Sequence, residues 1–250
     1  IAPGFEQLDF FDGDELFDYR SSRPVVDFVD GHLRNLEWPE LVMHHRVIGG
    51  RHVLILRGTE PDLQWRAFAD AVSELANEAG VTEFVAAGSV PAAVPHTVQT
   101  PMVTTSPDPD TIDPAVKTPE GLLRVPAAAL TVLSKRLSQD GIPARGYWAQ
   151  IPQYVNGPFH QGVIALLERL ADHLGVSIPL ETLPEEALQQ REHLDGIVAG
   201  RPEIQKVVEK LEEMVEEGDA LPTADEIGSQ VEEFLRESSD DGGDPFGTDG

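Results

Sequence analysis

Residues 53–89 run VLILRGTEPDLQWRAFADAVSELANEAGVTEFVAAGS, and this stretch decides the fold class. Val53-Leu54-Ile55-Leu56 is a short continuous apolar run, the pattern of a strand covered on both faces. Pro61-Asp62 opens a helix. Trp65, Phe68, Ala69, Val72, Leu75, Ala76 and Ala79 follow at helical spacing, and Gly80 closes it. Phe84-Val85-Ala86-Ala87 repeats the buried-strand pattern. Strand, helix and strand make a βαβ unit, whose economical outcome is a mainly parallel sheet covered by helices.

Upstream, Val25–Val29 and Leu33–Trp38 flank Asp30-Gly31, a strong hairpin signal, and Leu41-Val42-Met43 starts a further strand. Downstream, Val125–Leu137 and residues 163–174 have helical periodicity, with Ile164, Leu167, Ala171 and Leu174 on one face of the latter. Arg145–Ala149 reads as a strand, and Met102–Thr105 as a short one within the Pro/Thr/Asp-rich stretch from Pro91 to Pro126. A loop of that length points to function or disorder. Beyond Pro179 the pattern is helical and acidic, with capping-box spacing at Thr182/Glu185 and Thr223/Glu226. One apolar stripe runs Ile204, Val207, Val208, Leu211, Val215, and another Ile227, Val231, Phe234, Leu235. The resulting organisation is an α/β core over 1–180, an acidic helical appendage over 181–237 and a disordered tail over 238–250.

Composition narrows the function. The net charge of −26 repels a phosphate backbone and anionic membranes, so neither a nucleic-acid nor a membrane partner is expected. The segment from Arg201 onward carries nearly half of the excess. The absence of cysteine removes disulfides, zinc–thiolate sites and thiol catalysis, and favours a cytoplasmic home. No apolar run reaches the length of a membrane span.

Ligands of an open parallel sheet meet the carboxyl ends of its strands. Gly58-Thr59-Glu60-Pro61, Gly88-Ser89-Val90-Pro91 and Gln150–Tyr154 fall there, which makes Glu60, Ser89 and Tyr154 pocket candidates. Glu60 has a competing reading as a cap or loop anchor. His96, after Pro95, is either an acid/base or ligand contact, or a hydrogen-bonding anchor of its loop. Asn156 and His160 precede a helix, where they suit an anion or plain capping. His44-His45 is not a chelate, because neighbours on a strand point to opposite faces. Glu209, Glu212, Glu213, Glu216 and Glu217 form a solvated face or a docking surface for a basic partner. No phosphate-binding glycine loop, nucleophile elbow or zinc motif is present, so no catalytic residue, metal or cofactor is assigned.

Read in order, Asp18-Tyr19-Arg20, Arg23-Pro24, Asp30-Gly31, Glu37-Trp38-Pro39, Gly58-Thr59-Glu60-Pro61 with Trp65, Pro95-His96-Thr97, Gly141-Ile142-Pro143 and Trp148-Ala149 through Pro152–Val155 resemble the actinobacterial branch of the proteasome assembly chaperone 2 family. The resemblance covers about residues 8–240. It implies a three-layer α/β/α sandwich similar to the nucleoside phosphorylases, and homo-oligomers, often trimers. Eukaryotic and archaeal relatives help assemble proteasome rings. Family members usually begin with an apolar strand, a Gly-aromatic-x-Asp-Ala-Gly-type turn and a helix. That element is absent here, so upstream chain is expected, and Thr118–Gly121 matches a family glycine-rich turn only in part.

Two functional expectations follow. The first is a non-enzymatic, self-associating protein-interaction scaffold, probed at Glu209, Glu213, Glu216 and Phe234, with proteasome subunits or another protein as partner. The second is a nucleoside-phosphorylase-like binding protein or enzyme using Glu60, Ser89, His96, Tyr154, Asn156 and His160.

Overall fold

The computed structural model describes residues 6–112 and 124–217. Expectations for Thr118–Gly121, Thr223/Glu226, the stripe from Ile227 with Phe234, the tail from 238 and the Glu216 side chain lie outside the described residues. The described elements are β1 (Glu6–Phe10), α1 (Gly13–Leu16), β2 (Val25–Val29), β3 (His32–Glu37), β4 (Leu41–Ile48), β5 (Arg51–Gly58), α2 (Trp65–Glu78), β6 (Phe84–Ala92), β7 (Met102–Thr105), α3 (Ala129–Gln139), β8 (Ala144–Pro152), α4 (His160–Leu174), α5 (Leu183–Ala199) and α6 (Pro202–Glu217). A 3-10 turn at Pro109–Thr111 follows β7.

This is a mixed α/β protein, and the mainly parallel sheet expected from the βαβ reading is not what forms. Among the described residues three sheets run β1-β4-β5, β2-β3 and β6-β8-β7. The strand before α2 and the strand after it therefore belong to different sheets. Pairings β1/β4, β2/β3, β4/β5 and β7/β8 are antiparallel. Gly49-Gly50 sets the β4/β5 pairing. Both glycines have positive φ, 56° and 82°, and Ile48 pairs with Arg51 across them. Two residues in that conformation close a tight hairpin, which turns β5 back along β4 before any helix can carry it across.

The chain divides into two compact units, whose boundaries fall within β6 and within β8. The first unit contains β1–β5 and α1–α3. Its core gathers Leu16, Phe17, Leu41, Phe68, Ala69, Val72, Ala76, Leu133, Leu137 and Ile142. α2 supplies Phe68, Val72 and Ala76 from one face, as the periodicity predicts, and packs on α3. α2 starts at Trp65 rather than at Pro61. The Trp65 indole donates to the Pro61 carbonyl at 2.5 Å, so the segment between them is held as a turn.

The second unit contains β7 and α4–α6, with α4 on α5 and α5 on α6. β7 pairs along the middle of β8 in unbroken register, Met102 with Ala149 to Thr105 with Gly146. Tyr147 of β8 is fully buried, its hydroxyl 3.0 Å from His173 Nδ1 and the Arg169 guanidinium 4.7 Å over its ring. Ile204 and Val208 of the α6 stripe are buried, while Val207 and Val215 remain exposed. The capping box at Thr182/Glu185 does not form. The Thr182 hydroxyl donates instead to Glu186 at 2.7 Å.

Candidate functional site

The loop after β6 carries Val94-Pro95-His96-Thr97 into the second unit. Proline at 95 has no N–H to satisfy and fixes its own φ, so the chain enters His96 in a set direction. His96 is only 1% exposed. Its backbone N–H donates to the Tyr154 hydroxyl at 2.8 Å, and the same hydroxyl lies 2.7 Å from His96 Nδ1. The Asp195 carboxylate on the other side of the ring can only accept, so the ring hydrogen sits on Nε2 and the Tyr154 hydroxyl points its proton to Nδ1. Nδ1 is then the acceptor of the neutral ring. Nε2 donates to Asp195 Oδ1 at 3.1 Å.

Asp195 sits on α5 four residues after Arg191, the spacing that puts two side chains on one helix face. Arg191 Nε donates to both Asp195 oxygens at 3.1 Å, and Arg191 also donates to the His96 carbonyl at 3.0 Å. The next residue, Thr97, donates through its hydroxyl to Glu212 of α6. Two consecutive loop residues thus grip two different helices. Burial outweighs the Asp195 hydrogen bond and holds the His96 pKa below its ordinary value, with Arg191 acting in the same direction. Burial also pushes the Tyr154 phenol up to about 12, so it stays a proton donor across the physiological range.

The structure therefore joins His96 and Tyr154, which the sequence brings forward separately, with Thr97 and Glu212, which the sequence names in other settings, and adds Asp195 and Arg191, which it does not name. The only sequence signal for the additions is the i,i+4 opposite-charge pair on α5.

The other predicted residues lie elsewhere. His160 opens α4, where its backbone N–H donates to Gln190 Oε1 at 2.9 Å while Gln190 Nε2 donates to the Pro158 carbonyl at 2.7 Å. A glutamine from α5 thus caps α4. The His160 ring faces Glu186 at 3.8 Å. Asn156 is exposed in the turn between β8 and α4. Ser89 is exposed at a pocket of about 210 Å³ lined by Gly88, Ser89, Ile151, Phe159, Gly162 and Val163 among others. That volume is below the roughly 300–1,000 Å³ of usual small-molecule sites, and the lining is mostly apolar. Glu209 and Glu213 are exposed on α6.

Glu60 belongs to the first unit. Its carboxylate accepts the Ala129 N–H at 2.6 Å, at the first residue of α3. The residue before α3 is Ala128, which has no side chain able to cap, so Glu60 supplies the missing acceptor and its charge faces the positive helix end. Glu60→Ala should lose about 1 kcal/mol of stability, the usual size of a lost cap. Thermal unfolding checks this, and an unchanged midpoint would show that the bond contributes nothing.

His44 and His45 point to opposite faces as expected. His44 is buried, and the His45 ring stacks on His52 with centroids 5.2 Å apart. Among the described residues no group of three or more His, Asp or Glu side chains is placed to hold a metal ion, and no helix is long and apolar enough to cross a membrane.

The sequence profile described as the PAC2 family matches residues 3–198. A Corynebacterium glutamicum protein of unknown function is 30% identical and superposes with a TM-score of 0.79, over 87% of this chain and 81% of that one. A PAC2 family protein from Streptomyces avermitilis is 30% identical, with a TM-score of 0.71 over 82% of this chain and 87% of its own. A Mycobacterium tuberculosis proteasome-assembly chaperone homologue is 29% identical, with a TM-score of 0.73 and the same coverage of 82% and 87%. A search of curated proteins gave no significant match.

Proposed function

The chain belongs to the PAC2 family, and on that premise we propose that it acts as a protein-interaction scaffold of the proteasome-assembly-chaperone type. The observation that supports this best is the His96 cluster. The histidine that an acid/base site would use is hydrogen-bonded on both ring nitrogens, to the Tyr154 hydroxyl and Asp195, and is closed to solvent. The work of the cluster is to fasten α5 and α6, the acidic helices, to the loop after β6. Binding surfaces on rigid elements hold their geometry better than surfaces on loops.

A relative of 29% identity is described as a proteasome-assembly chaperone homologue. We accordingly assign proteasome subunits as the partner class, self-association as a trimer and a cytoplasmic setting, and we assign the three-layer α/β/α arrangement as the finer architecture. Glu209 and Glu213 are the contact residues of this reading, with Glu216 and Phe234 beyond them. Co-sedimentation of the full chain with purified proteasome subunits tests it. A complex at micromolar concentration is expected, and the double change Glu209→Lys, Glu213→Lys should weaken it by about tenfold or more. No complex with any subunit would overturn the partner assignment, and unchanged binding by the double variant would overturn the acidic contact face.

The pocket beside Ser89 gives the small-molecule reading its footing, because Ile151 lies near the carboxyl end of β8. A thermal-shift screen with nucleosides and inorganic phosphate separates the two. The scaffold reading expects no change in midpoint. A saturable rise of several degrees would favour a ligand site, since binding to the native state alone raises stability.

A further inference from the structure

The hairpin of β4 and β5 carries a histidine pair separate from the His96 cluster. His45 Nε2 stands 3.0 Å from His52 Nδ1, with ring centroids 5.2 Å apart and ring planes 14° apart. His45 pairs with Leu54 and His52 with Val47, so the two histidines are diagonal neighbours on one face of the hairpin. Unbroken pairing from Leu41/Gly58 to Ile48/Arg51, closed by Gly49-Gly50, holds that register. Arg46 and Arg51, the chain neighbours of the pair, alternate to the opposite face. Glu6 of β1 pairs with His45 and shares the histidine face.

We propose that His45 and His52 form a binding site for a divalent transition ion of the Zn2+, Ni2+ and Cu2+ class. The first support is spacing. With bonds of about 2.1 Å, adjacent ligands round an ion stand about 3.0–3.4 Å apart. The two facing nitrogens stand at the lower end of that range. The second is the chemistry of the rings. A neutral imidazole has one N–H and one bare nitrogen, so the facing nitrogens share a single hydrogen. When an ion takes its place, both facing nitrogens offer lone pairs. Each ring then keeps its hydrogen on the far nitrogen, Nδ1 of His45 and Nε2 of His52, and no proton is gained or lost. His52 is exposed and His45 half-buried, so solvent reaches the pair and the rings can turn toward the ion. The third is selectivity. Imidazole suits zinc, nickel and copper, whereas calcium and magnesium take oxygen ligands, and no Asp or Glu occurs from Leu41 to Thr59. The net charge of −26 raises the concentration of cations around the chain. Two protein ligands are fewer than the four of a structural zinc site, so water completes the coordination and the ion exchanges.

Isothermal titration of the full chain with Zn2+ and Ni2+, in a buffer that does not chelate, tests the proposal. One ion per chain is expected at micromolar concentration. His45→Gln and His52→Gln should each weaken binding by about tenfold or more, with unchanged circular dichroism. His32→Gln, at an exposed position on β3, serves as control and should bind like wild type. Ca2+ and Mg2+ in excess should not compete. Nitrogen-15 NMR of the wild type gives a second readout that needs no variant. Zn2+ should shift His45 Nε2 and His52 Nδ1 together and leave the His32 ring unchanged. No binding at about 1 mM ion, equal binding by the His45→Gln, His52→Gln double variant, or a loss confined to one of the two histidines would overturn the site.

Discussion

Gly58→Ala should lower stability by about 3–5 kcal/mol. Gly58 ends β5 opposite Leu41 with φ at +146°, a conformation that side chains rarely adopt. A Cβ there would lie 2.0 Å from the Glu40 carbonyl oxygen and 2.8 Å from the Leu41 Cα. Both are backbone atoms held in the β4/β5 pairing, and Thr59 N–H donates to that same Glu40 carbonyl at 2.8 Å. No flexible side chain is available to move aside. Backbone strain of about 1–3 kcal/mol and overpacking of about 1–3 kcal/mol act together. Urea unfolding reads the effect as a large fall in midpoint. A change of less than about 0.5 kcal/mol, the scatter of neutral surface substitutions, would show that the strand end moves freely.

His96→Ala should cost about 2–4 kcal/mol, because it opens a cavity and takes one hydrogen bond each from the Tyr154 hydroxyl and Asp195. The pH dependence gives a second handle. The folded His96 has a pKa below the 6.5 of the free side chain, so in acid the unfolded chain takes up a proton that the folded chain refuses. The contribution is complete above about pH 6.5 and is lost as pH falls from there toward the folded pKa. One such group gives a slope of at most about 1.4 kcal/mol per pH unit. The groups facing the ring are Asp195 and Arg191 of α5, Glu212 of α6 and Tyr154. His96→Gln should flatten the stability curve just below about pH 6.5 relative to wild type. An identical slope in the two proteins would mean that His96 titrates like a surface residue.

Local signals translated into local structure. The period of Phe68, Val72 and Ala76 became the buried face of α2, Asp30-Gly31 became a hairpin turn, and Met102–Thr105 became β7 as read. Sheet topology did not translate, because Val53–Leu56 between turns is equally compatible with parallel or antiparallel neighbours. The deciding feature for β4/β5 was the conformation of Gly49-Gly50, a preference rather than a period. The same limit applies to the site. Val94-Pro95-His96 and the residues around Tyr154 stand out locally, yet His96 meets Asp195 across 99 residues and Thr97 meets Glu212 across 115. Nothing in the spacing of α5 or α6 names a partner that far away. Glu60 stands out too, and its bond to Ala129 is the capping alternative, made to a helix 69 residues on rather than to its own neighbours.

The account turns on His96 as the fastener of two helices rather than a reacting group. Hydrogen–deuterium exchange on the full chain, wild type beside His96→Ala, measures this directly. The account predicts that α5 and α6 exchange as slowly as β8 in the wild type, and that both lose protection together in the variant while α2 and α3 keep theirs. Rapid exchange of α5 and α6 in the wild type, or protection in the variant equal to wild type, would contradict it.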